Sequence, residues 1–286
     1  MPDFLIMRTY LITGAQGQLG THLVRKARER GAEVVGVCRR ELDVTDAAAV
    51  RNAVRRGMTV INCAAYTAVD RAETDSDVAF AVNATGPANL ADACETNGAR
   101  LIHISTDYVF DGTSRTPYEP ADPTGPRTVY GASKLAGERA LAGRATVVRT
   151  AWVYTGARND FVATMRRLER ERETLRVVND QVGSPTFAAD LADGLLELAT
   201  VEGDGVLHAT NAGVASWFDL AQAVFAEIGA DPARVEPCTS EEFVRPAPRP
   251  AYSVLSQRSW VDAGLTPLRD WRTALHAAVS PLGWAT

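Results

Sequence analysis

Thr9-Tyr-Leu-Ile-Thr13 runs directly into Gly14-Ala-Gln-Gly17-Gln-Leu-Gly20, and this stretch decides the fold. Its first five residues are mostly apolar and predict a buried β-strand. Leu19, Leu23 and Ala27 then recur at helical spacing, so a helix should begin at the glycines. Glycines allow a tight turn and let the backbone approach a pyrophosphate at the helix N-terminus, where amides and the helix dipole favour anions. The stretch therefore predicts a strand-turn-helix unit that binds a dinucleotide.

Four more apolar runs follow in the first half of the chain, and helical patterns separate them. Continuous apolar strands that alternate with helices indicate a parallel sheet covered on both faces, which is the doubly wound, Rossmann-type α/β architecture. We expect this domain to span residues 1–151, with strands Thr9–Thr13, Val34–Cys38, Thr59–Cys63, Arg100–Ile104 and Ala145–Arg149 and helices over Ala47–Arg56 and Val78–Thr96.

The pattern changes after about Trp152. We expect residues 152–286 to form a smaller, mainly substrate-binding α/β lobe, from which the chain can cross back to the main domain. Ser216 is the expected N-cap of one of its helices. The predicted elements are helices over Phe161–Glu173, Asp190–Thr200 and Ser216–Ile228, a strand over Leu175–Val178 and an extended proline-rich loop over Arg245–Pro250.

Composition and charge exclude several classes of protein. A net charge of -5 without a basic block argues against nucleic-acid binding. No apolar run approaches the roughly 20 residues that a membrane helix needs, and the N-terminus does not resemble a signal peptide. Cys38, Cys63, Cys94 and Cys238 lack paired spacing, which indicates reduced thiols rather than disulfides or a zinc site. We therefore expect a cytoplasmic protein without a membrane partner.

The end of the second strand should lie near the adenosine ribose of the dinucleotide. An acidic residue there favours NAD, and an arginine favours NADP. Arg39 and Arg40 come first and favour NADPH, but Glu41 is a rival for the ribose hydroxyls, so NADH stays open. Asp43 could accept a hydrogen bond from adenine or could cap the next helix.

Tyr130 and Lys134 lie four residues apart in a helical stretch, on one helix face. The chain has only two lysines, Lys26 and Lys134, although it has 30 basic residues. A nearby ammonium should lower the pKa of a phenol from about 10 toward neutrality. The pair can then protonate a carbonyl oxygen as a hydride reaches its carbon, with Lys134 also able to bind the nicotinamide ribose.

Ser105 and Thr106 end the fourth strand, where a doubly wound sheet presents catalytic groups. A hydroxyl here can donate to a developing alkoxide. Strand alternation favours one of the two, and the spacing leaves open which one.

Longer motifs resemble the extended short-chain dehydrogenase/reductase superfamily and, within it, the dTDP-4-dehydrorhamnose reductases. The resemblance spans nearly the whole chain and is most specific in the runs Ser-Thr-Asp-Tyr-Val-Phe and Thr-Ala-Trp-Val-Tyr. It rests on the glycine turn and on residues 60–70, 82–85, 105–112, 129–138, 149–154 and 179–186.

This resemblance implies reduction, with NADPH, of the C4 ketone of dTDP-4-dehydro-β-L-rhamnose to dTDP-L-rhamnose. That is the last step in making this sugar donor for cell-envelope polysaccharide. Thr106, Tyr130 and Lys134 would form the catalytic triad, with Tyr130 as the proton donor. Substrate contacts would come from Thr67, Val69, Thr106, Asp107, Tyr108 and Trp152, although Trp152 could equally be a core aromatic. Asn83 would also hold the active-site water or backbone in place. Cofactor contacts would come from Gly14, Gly17, Gln18, Leu19, Gly20, Arg39, Asp43, Val44, Ala64, Ala65, Tyr66, Asn83, Tyr130 and Lys134.

One position departs from the pattern of the family. Some members form magnesium-linked dimers through acidic residues, one of them two positions after the third glycine, where this chain has His22. We therefore expect no metal, and a monomer rather than such a dimer.

Other functions remain open at this point. A sibling reductase could act on another 4-keto-6-deoxy nucleotide sugar with the opposite stereochemistry at C4. A regulatory subunit could bind the cofactor without turnover, although it would not need to keep the Tyr130–Lys134 pair. An epimerase or dehydratase would hold an oxidised cofactor tightly.

Overall fold

The computed structural model describes residues 8–157 and 160–280, which form twelve strands and eleven α-helices. The strands are β1 Thr9–Thr13, β2 Glu33–Val37, β3 Thr59–Asn62, β4 Arg100–Thr106, β5 Thr146–Thr150, β6 Val153–Tyr154, β7 Leu175–Val178, β8 Val182–Gly183, β9 Thr186–Phe187, β10 Gly205–His208, β11 Ala215–Ser216 and β12 Val235–Cys238. The helices are α1 Gln18–Glu29, α2 Ala47–Ala53, α3 Val69–Ala72, α4 Ser76–Phe80, α5 Gly86–Asn97, α6 Val129–Ala140, α7 Phe161–Glu171, α8 Ala188–Leu198, α9 Trp217–Glu227, α10 Arg258–Asp262 and α11 Trp271–Val279.

The central sheet has six parallel strands in the order β2-β1-β3-β4-β5-β10. The chain builds outward from β1 in one direction to β2 and in the other to β3, so the strand order reverses there. Such a switch point leaves a crevice at the carboxyl ends of the strands, where ligands bind in doubly wound folds. The predicted Rossmann-type architecture is confirmed.

The five strands predicted within residues 1–151 are present; β1 has the predicted bounds, and the other four differ from the prediction by one or two residues at their ends. The sixth strand, β10, was not predicted. Only Val206 and Leu207 are apolar at its centre, and glycines and acidic residues precede it. Its place in the sheet comes from pairing with β5, where Gly205 lies opposite Thr146.

The predicted helix over Val78–Thr96 is interrupted. A π-helical turn at Ala81–Thr85 separates α4 from α5, and Pro87 stands in the first turn of α5. Proline has no N–H to donate, so it fits the start of a helix and not its middle. The wider turn is also where Asn83 enters the core.

Part of the second half of the chain packs with the central sheet. Leu191 and Leu195 of α8 share one core cluster with Leu23 of α1, and Trp260 of α10 joins it. Through α8, α10 and β10, the second half of the chain thus returns to the central sheet. The division at residues 151 and 152 stays a prediction, and residues 1–7, 158–159 and 281–286 of the two predicted domains lie outside the described residues.

A second core lies between α7, α9 and α11, over the short strands. Ser216 caps α9 as predicted, in a reciprocal capping box with Asp219. The strand Leu175–Val178 has the predicted bounds, and the loop Arg245–Pro250 contains neither helix nor strand. Among the described residues, no helix combines the length and apolar character needed to cross a bilayer.

Candidate active site

A cleft of about 1080 Å³ opens at the carboxyl ends of β1, β3, β4 and β5. The predicted cofactor and substrate residues meet here, with one exception, Asn83. Those that line the cleft are Gly14, Gly17, Gln18, Leu19, Gly20, Arg39, Asp43, Val44, Ala64, Ala65, Tyr66, Thr67, Val69, Thr106, Asp107, Tyr108, Tyr130, Lys134 and Trp152.

The glycine turn joins β1 to α1 at the floor of the cleft. Gly14 has a φ of +64°, and a Cβ there would lie 2.8 Å from the backbone of Cys63 and Ala64. A Cβ on Gly20 would lie 2.2 Å from the carbonyl oxygen of Gly14. Gly17 is the N-cap of α1 and offers no capping side chain, which leaves the first amides of the helix available to an anion.

The residues that follow β2 divide between the cleft and local turns. Arg39 lines the cleft, whereas Arg40 and Glu41 do not. The Glu41 carboxylate accepts a hydrogen bond of 2.8 Å from the N–H of Cys38, and this bond lowers the pKa of Glu41. Asp43 lines the cleft and accepts hydrogen bonds from the N–H and hydroxyl of Thr45.

Asp43 was also a candidate N-cap of the next helix. That alternative is wrong, because Asp46 caps α2 by accepting hydrogen bonds from the N–H groups of Ala48 and Ala49.

Asn83 lies behind the cleft wall and not in it. Its Oδ1 accepts from the N–H of Tyr66 at 2.8 Å, and its Nδ2 donates to the Tyr66 carbonyl at 3.0 Å and to Ser133 Oγ at 2.9 Å. The prediction that Asn83 contacts the cofactor is therefore corrected. Asn83 ties the loop after β3 to α6, and it positions residues that do line the cleft.

The end of β4 separates the two candidate hydroxyls. Ser105 donates to the buried carboxylate of Glu138, which also pairs with Arg149. Thr106 donates to Asp107 Oδ1 at 2.9 Å, and its hydroxyl is also near enough to the Tyr130 phenol to act on the pKa of that group. The hydroxyl that faces the phenol of α6 is therefore that of Thr106, which resolves the choice that the spacing left open.

The pKa of Tyr130 is raised to about 12, because burial of the phenol disfavours its charged form. We expected Lys134 to lower it toward neutrality. That expectation is wrong for the structure, where the Lys134 Nζ donates to the Ile104 carbonyl at 2.6 Å and lies 3.2 Å from His103 Nε2. Tyr130 is thus held in its protonated form.

Asp107 is a buried carboxyl group beside the triad. Burial raises its pKa to about 6, which the nearby Ser253 hydroxyl opposes, and among the described residues its Oδ2 makes no hydrogen bond of good geometry. The hydroxyl of Thr150, which also lines the cleft, lacks a partner too. Buried polar atoms are normally paired, so these two are available to a polar ligand.

Trp152 lies between the second core and the cleft. It contributes to the second core, and it also lines the cleft, where its ring stacks on Trp217 with centroids 3.6 Å apart. Its φ of +48° is unusual for a residue with a side chain and costs about 1–3 kcal/mol. Such strain is typical of functional sites.

Sequence reasoning missed two arginines at the mouth of the cleft. Arg245 and Arg249 come from the proline-rich loop and line the cleft. Arg249 pairs with Asp70 at 3.0 Å, and Arg245 approaches the same carboxylate at 3.9 Å. Trp217 was not predicted either, because nothing in the sequence around it shows that it packs near residues far earlier in the chain.

His22 lies on α1, outside the cleft, with its ring edge against Phe187 at 5.8 Å between centroids. Burial lowers its pKa. Within residues 8–157 and 160–280, no group of three His, Cys, Asp or Glu side chains is placed to hold a metal ion.

A glycine turn follows the first strand of the parallel sheet, and a helix with a Tyr-x-x-x-Lys motif lies on the same cleft. These features define the class of protein. The fold is that of the Rossmann-type extended short-chain dehydrogenases/reductases. The chain belongs to the RmlD substrate binding domain family, whose model matches residues 7–283.

Three relatives illustrate the range of similarity. The chain is 56% identical over 279 residues to a dTDP-4-dehydrorhamnose reductase of Mycobacterium tuberculosis (strain H37Rv), covering 94% of this chain and 92% of the relative. It is 46% identical over 275 residues to a dTDP-4-keto-6-deoxy-D-glucose reductase of Streptomyces niveus, covering 94% and 96%. A crystal structure of dTDP-4-dehydrorhamnose reductase from Bacillus anthracis in complex with NADP is 37% identical, covers 94% and 98%, and superposes with a TM-score of 0.90.

Proposed function

We propose that the protein reduces the C4 ketone of dTDP-4-dehydro-β-L-rhamnose with NADPH, giving dTDP-L-rhamnose. The observation that carries the proposal is the meeting of Thr106, Tyr130 and Lys134 with the glycine turn on one cleft. Relatives that share most of the chain carry the corresponding name. The reaction would complete a sugar donor for cell-envelope polysaccharide.

The cleft fits a dinucleotide. The uncapped N-terminus of α1 and the close backbone approach at Gly14 suit a pyrophosphate. Arg39 reaches the cleft where the adenosine ribose would lie, and Glu41 is held in a local turn. This arrangement supports NADPH over NADH, as does the NADP complex of the Bacillus anthracis relative. NADPH would supply the hydride when bound.

The protein's own residues would manage the proton. Tyr130 enters the reaction protonated, because its pKa is about 12, and it donates its proton to the ketone oxygen as negative charge develops there. Thr106 would orient the phenol by accepting its O–H, and its hydroxyl would turn from Asp107 to donate to the phenolate that results. Lys134 then returns a proton to the phenolate.

The substrate would lie on the opposite side of the cleft from the glycine turn. The free oxygen of Asp107 and the hydroxyl of Tyr108 would contact the sugar, together with Thr67, Val69 and Trp152. Arg245 and Arg249 carry the charge that the nucleotide diphosphate needs, since planar guanidinium groups bind phosphate oxygens in pairs.

We further propose that the protein is a cytoplasmic monomer without a metal or a nucleic-acid partner. All four cysteines are free thiols, which suits a reducing compartment. His22 stands where a magnesium-linked dimer would need an acidic residue.

The identity of the product tests this proposal. Incubation with NADPH and dTDP-4-dehydro-β-L-rhamnose, followed by NMR analysis of the sugar, should give dTDP-L-rhamnose. A C4 epimer, or turnover only with another 4-keto-6-deoxy nucleotide sugar, would favour the sibling reductases, which the Streptomyces niveus relative makes the second candidate. Cofactor binding without any reduction would favour a regulatory subunit, and retained oxidised cofactor would favour an epimerase or dehydratase.

A further inference from the structure

A chain of four buried polar side chains runs beneath the cleft from β1 to α6. The Thr13 hydroxyl donates to Asn62 Oδ1 at 2.6 Å, and Asn62 Nδ2 lies 2.9 Å from His103 Nδ1. His103 Nε2 lies 3.2 Å from the Lys134 Nζ. All four residues are at most 2% exposed. This series of side chains ends at Lys134 of the proposed triad, and nothing in the proposed reaction explains why the other three are there.

The contacts at Asn62 set the direction of the hydrogen bonds. Its Oδ1 accepts from Thr13 and also from the N–H of Ala64 at 3.2 Å. Both partners are donors, so the amide oxygen must face them, and the amide NH₂ must face His103. The Nδ1 of His103 therefore accepts, and a neutral imidazole then carries its proton on Nε2.

His103 is neutral, because burial and the neighbouring Lys134 hold the pKa of its imidazole well below the ordinary value of 6.5. Its Nε2–H consequently points at the Lys134 Nζ. An ammonium group has only donors, whereas a neutral amine can accept a hydrogen bond while it still donates to the Ile104 carbonyl. The contact with His103 therefore favours the amine form of Lys134.

Other charged and titratable groups also act on the lysine. Glu138 on α6 and Cys63 after β3 favour the ammonium form, and burial opposes it. The balance lowers the pKa of Lys134 to about 8. A group that titrates near neutrality can both give and regain a proton in each turnover.

We propose that His103 is a positioning residue that fixes the Lys134 nitrogen at the floor of the cleft and eases the release of its proton to Tyr130. This role rests on the proposed function. In the step, an N–H bond of the ammonium breaks and the O–H bond of Tyr130 forms. The lysine is left as a neutral amine that accepts the His103 N–H, and a proton from solvent restores the ammonium.

Because the chain has only two lysines, the titration of Lys134 can be measured directly by NMR. In protein labelled with ¹⁵N at the lysine side chains, two Nζ signals are expected, and Lys26→Arg identifies the one from Lys134. In the Lys26→Arg background, the Lys134 signal should titrate with a midpoint near the pKa of about 8. His103→Gln should raise the midpoint by about 1 pH unit or more, because the Gln carbonyl can accept from the ammonium.

His22→Gln is the matched control, since His22 lies on α1 and should leave the Lys134 midpoint unchanged. In the kinetics, His103→Gln should move the alkaline limb of the kcat profile upward by the same amount, with little change in KM. A change in KM alone, or an unchanged midpoint, would overturn the proposal.

The imidazole ¹⁵N signals of the wild-type protein give a test that does not depend on the folding of a variant. The proposal requires an unprotonated Nδ1 and a protonated Nε2 in His103. A proton on Nδ1 would overturn it. Both NMR measurements need no substrate, so they fail or succeed separately from the proposed reaction.

Discussion

Arg249 Nη2 lies 3.0 Å from Asp70 Oδ1 at the mouth of the cleft, joining the proline-rich loop to helix α3 across 179 positions of sequence. The ion pair holds the guanidinium group of a side chain that is 20% exposed and lines the cleft. A fixed cation in this place suits the diphosphate of a nucleotide sugar.

Arg249→Ala should therefore raise the KM for the nucleotide sugar about 10- to 100-fold, the equivalent of about 1.5–3 kcal/mol for hydrogen bonds to a charged group. The KM for NADPH should hardly change. Steady-state kinetics with each substrate varied in turn measure both constants. Arg258→Ala is the control, because Arg258 is exposed and does not line the cleft. An equal rise in both KM values would contradict a specific contact between Arg249 and the nucleotide sugar.

Arg39 and Arg40 form a matched pair for the choice of cofactor, because only Arg39 lines the cleft. Arg39→Ala should weaken NADPH binding about 10- to 100-fold and leave NADH binding almost unchanged, since the 2′-phosphate loses its cation. Arg40→Ala should alter neither. Fluorescence titration of both nucleotides provides the comparison, and equal losses for NADPH and NADH would exclude Arg39 as the phosphate contact.

Tyr130→Phe removes the proposed proton donor and keeps the ring that packs at 5.4 Å from Tyr108. Turnover should fall by at least about 100-fold, the usual contribution of general acid catalysis, with NADPH binding preserved. Tyr252→Phe serves as the control, because Tyr252 does not line the cleft. Near-normal turnover in Tyr130→Phe would show that another group donates the proton to the ketone oxygen.

Asp107 should make stability depend on pH. Its pKa is raised from 3.8 to about 6 in the folded state, so folding favours its protonated form. The associated stability is complete below about pH 3.8 and is lost as the pH rises through about 6. Relative to Asp107→Asn, the wild-type protein should lose about 3 kcal/mol of unfolding free energy over this range.

Urea unfolding of both proteins at pH values from about 4 to about 7 measures this loss. Asp111→Asn is the control, because hydrogen bonds from Thr113 lower the pKa of Asp111 below its ordinary value of 3.8, so the contribution of Asp111 should stay nearly constant over this pH range. A wild-type advantage over Asp107→Asn that grows with pH would contradict the burial of a protonated Asp107.

The architecture was predictable because its signals are local. The apolar centres of β1, β3, β4 and β5 are buried, as expected of parallel strands between helices, whereas β2 at the edge of the sheet leaves Val35 39% exposed. The fold around β10 was not predictable, since Gly205–His208 takes strand form through pairing with β5. The π-helical turn around Asn83 likewise arises from packing against α6 and not from a sequence pattern.

The residues of the candidate site likewise include some that the sequence predicted and some that it did not. Gly14, Tyr130 and Lys134 stand in spacings with a direct physical meaning, and they were found. Arg249 and Trp217 reach the cleft from distant parts of the chain, and an exposed arginine or a single aromatic residue carries no local signal of its role. His103 did leave a signal, a polar side chain inside the apolar strand Arg100–Thr106, but its partners become visible only in the folded chain.

The proposed reaction is tested most directly by following NADPH absorbance in the presence of dTDP-4-dehydro-β-L-rhamnose generated in situ, without added magnesium and beside a parallel assay with NADH. We expect oxidation that depends on the sugar nucleotide, proceeds faster with NADPH and stops in Tyr130→Phe. Measurable binding of NADPH without any oxidation by this substrate would contradict the proposed activity.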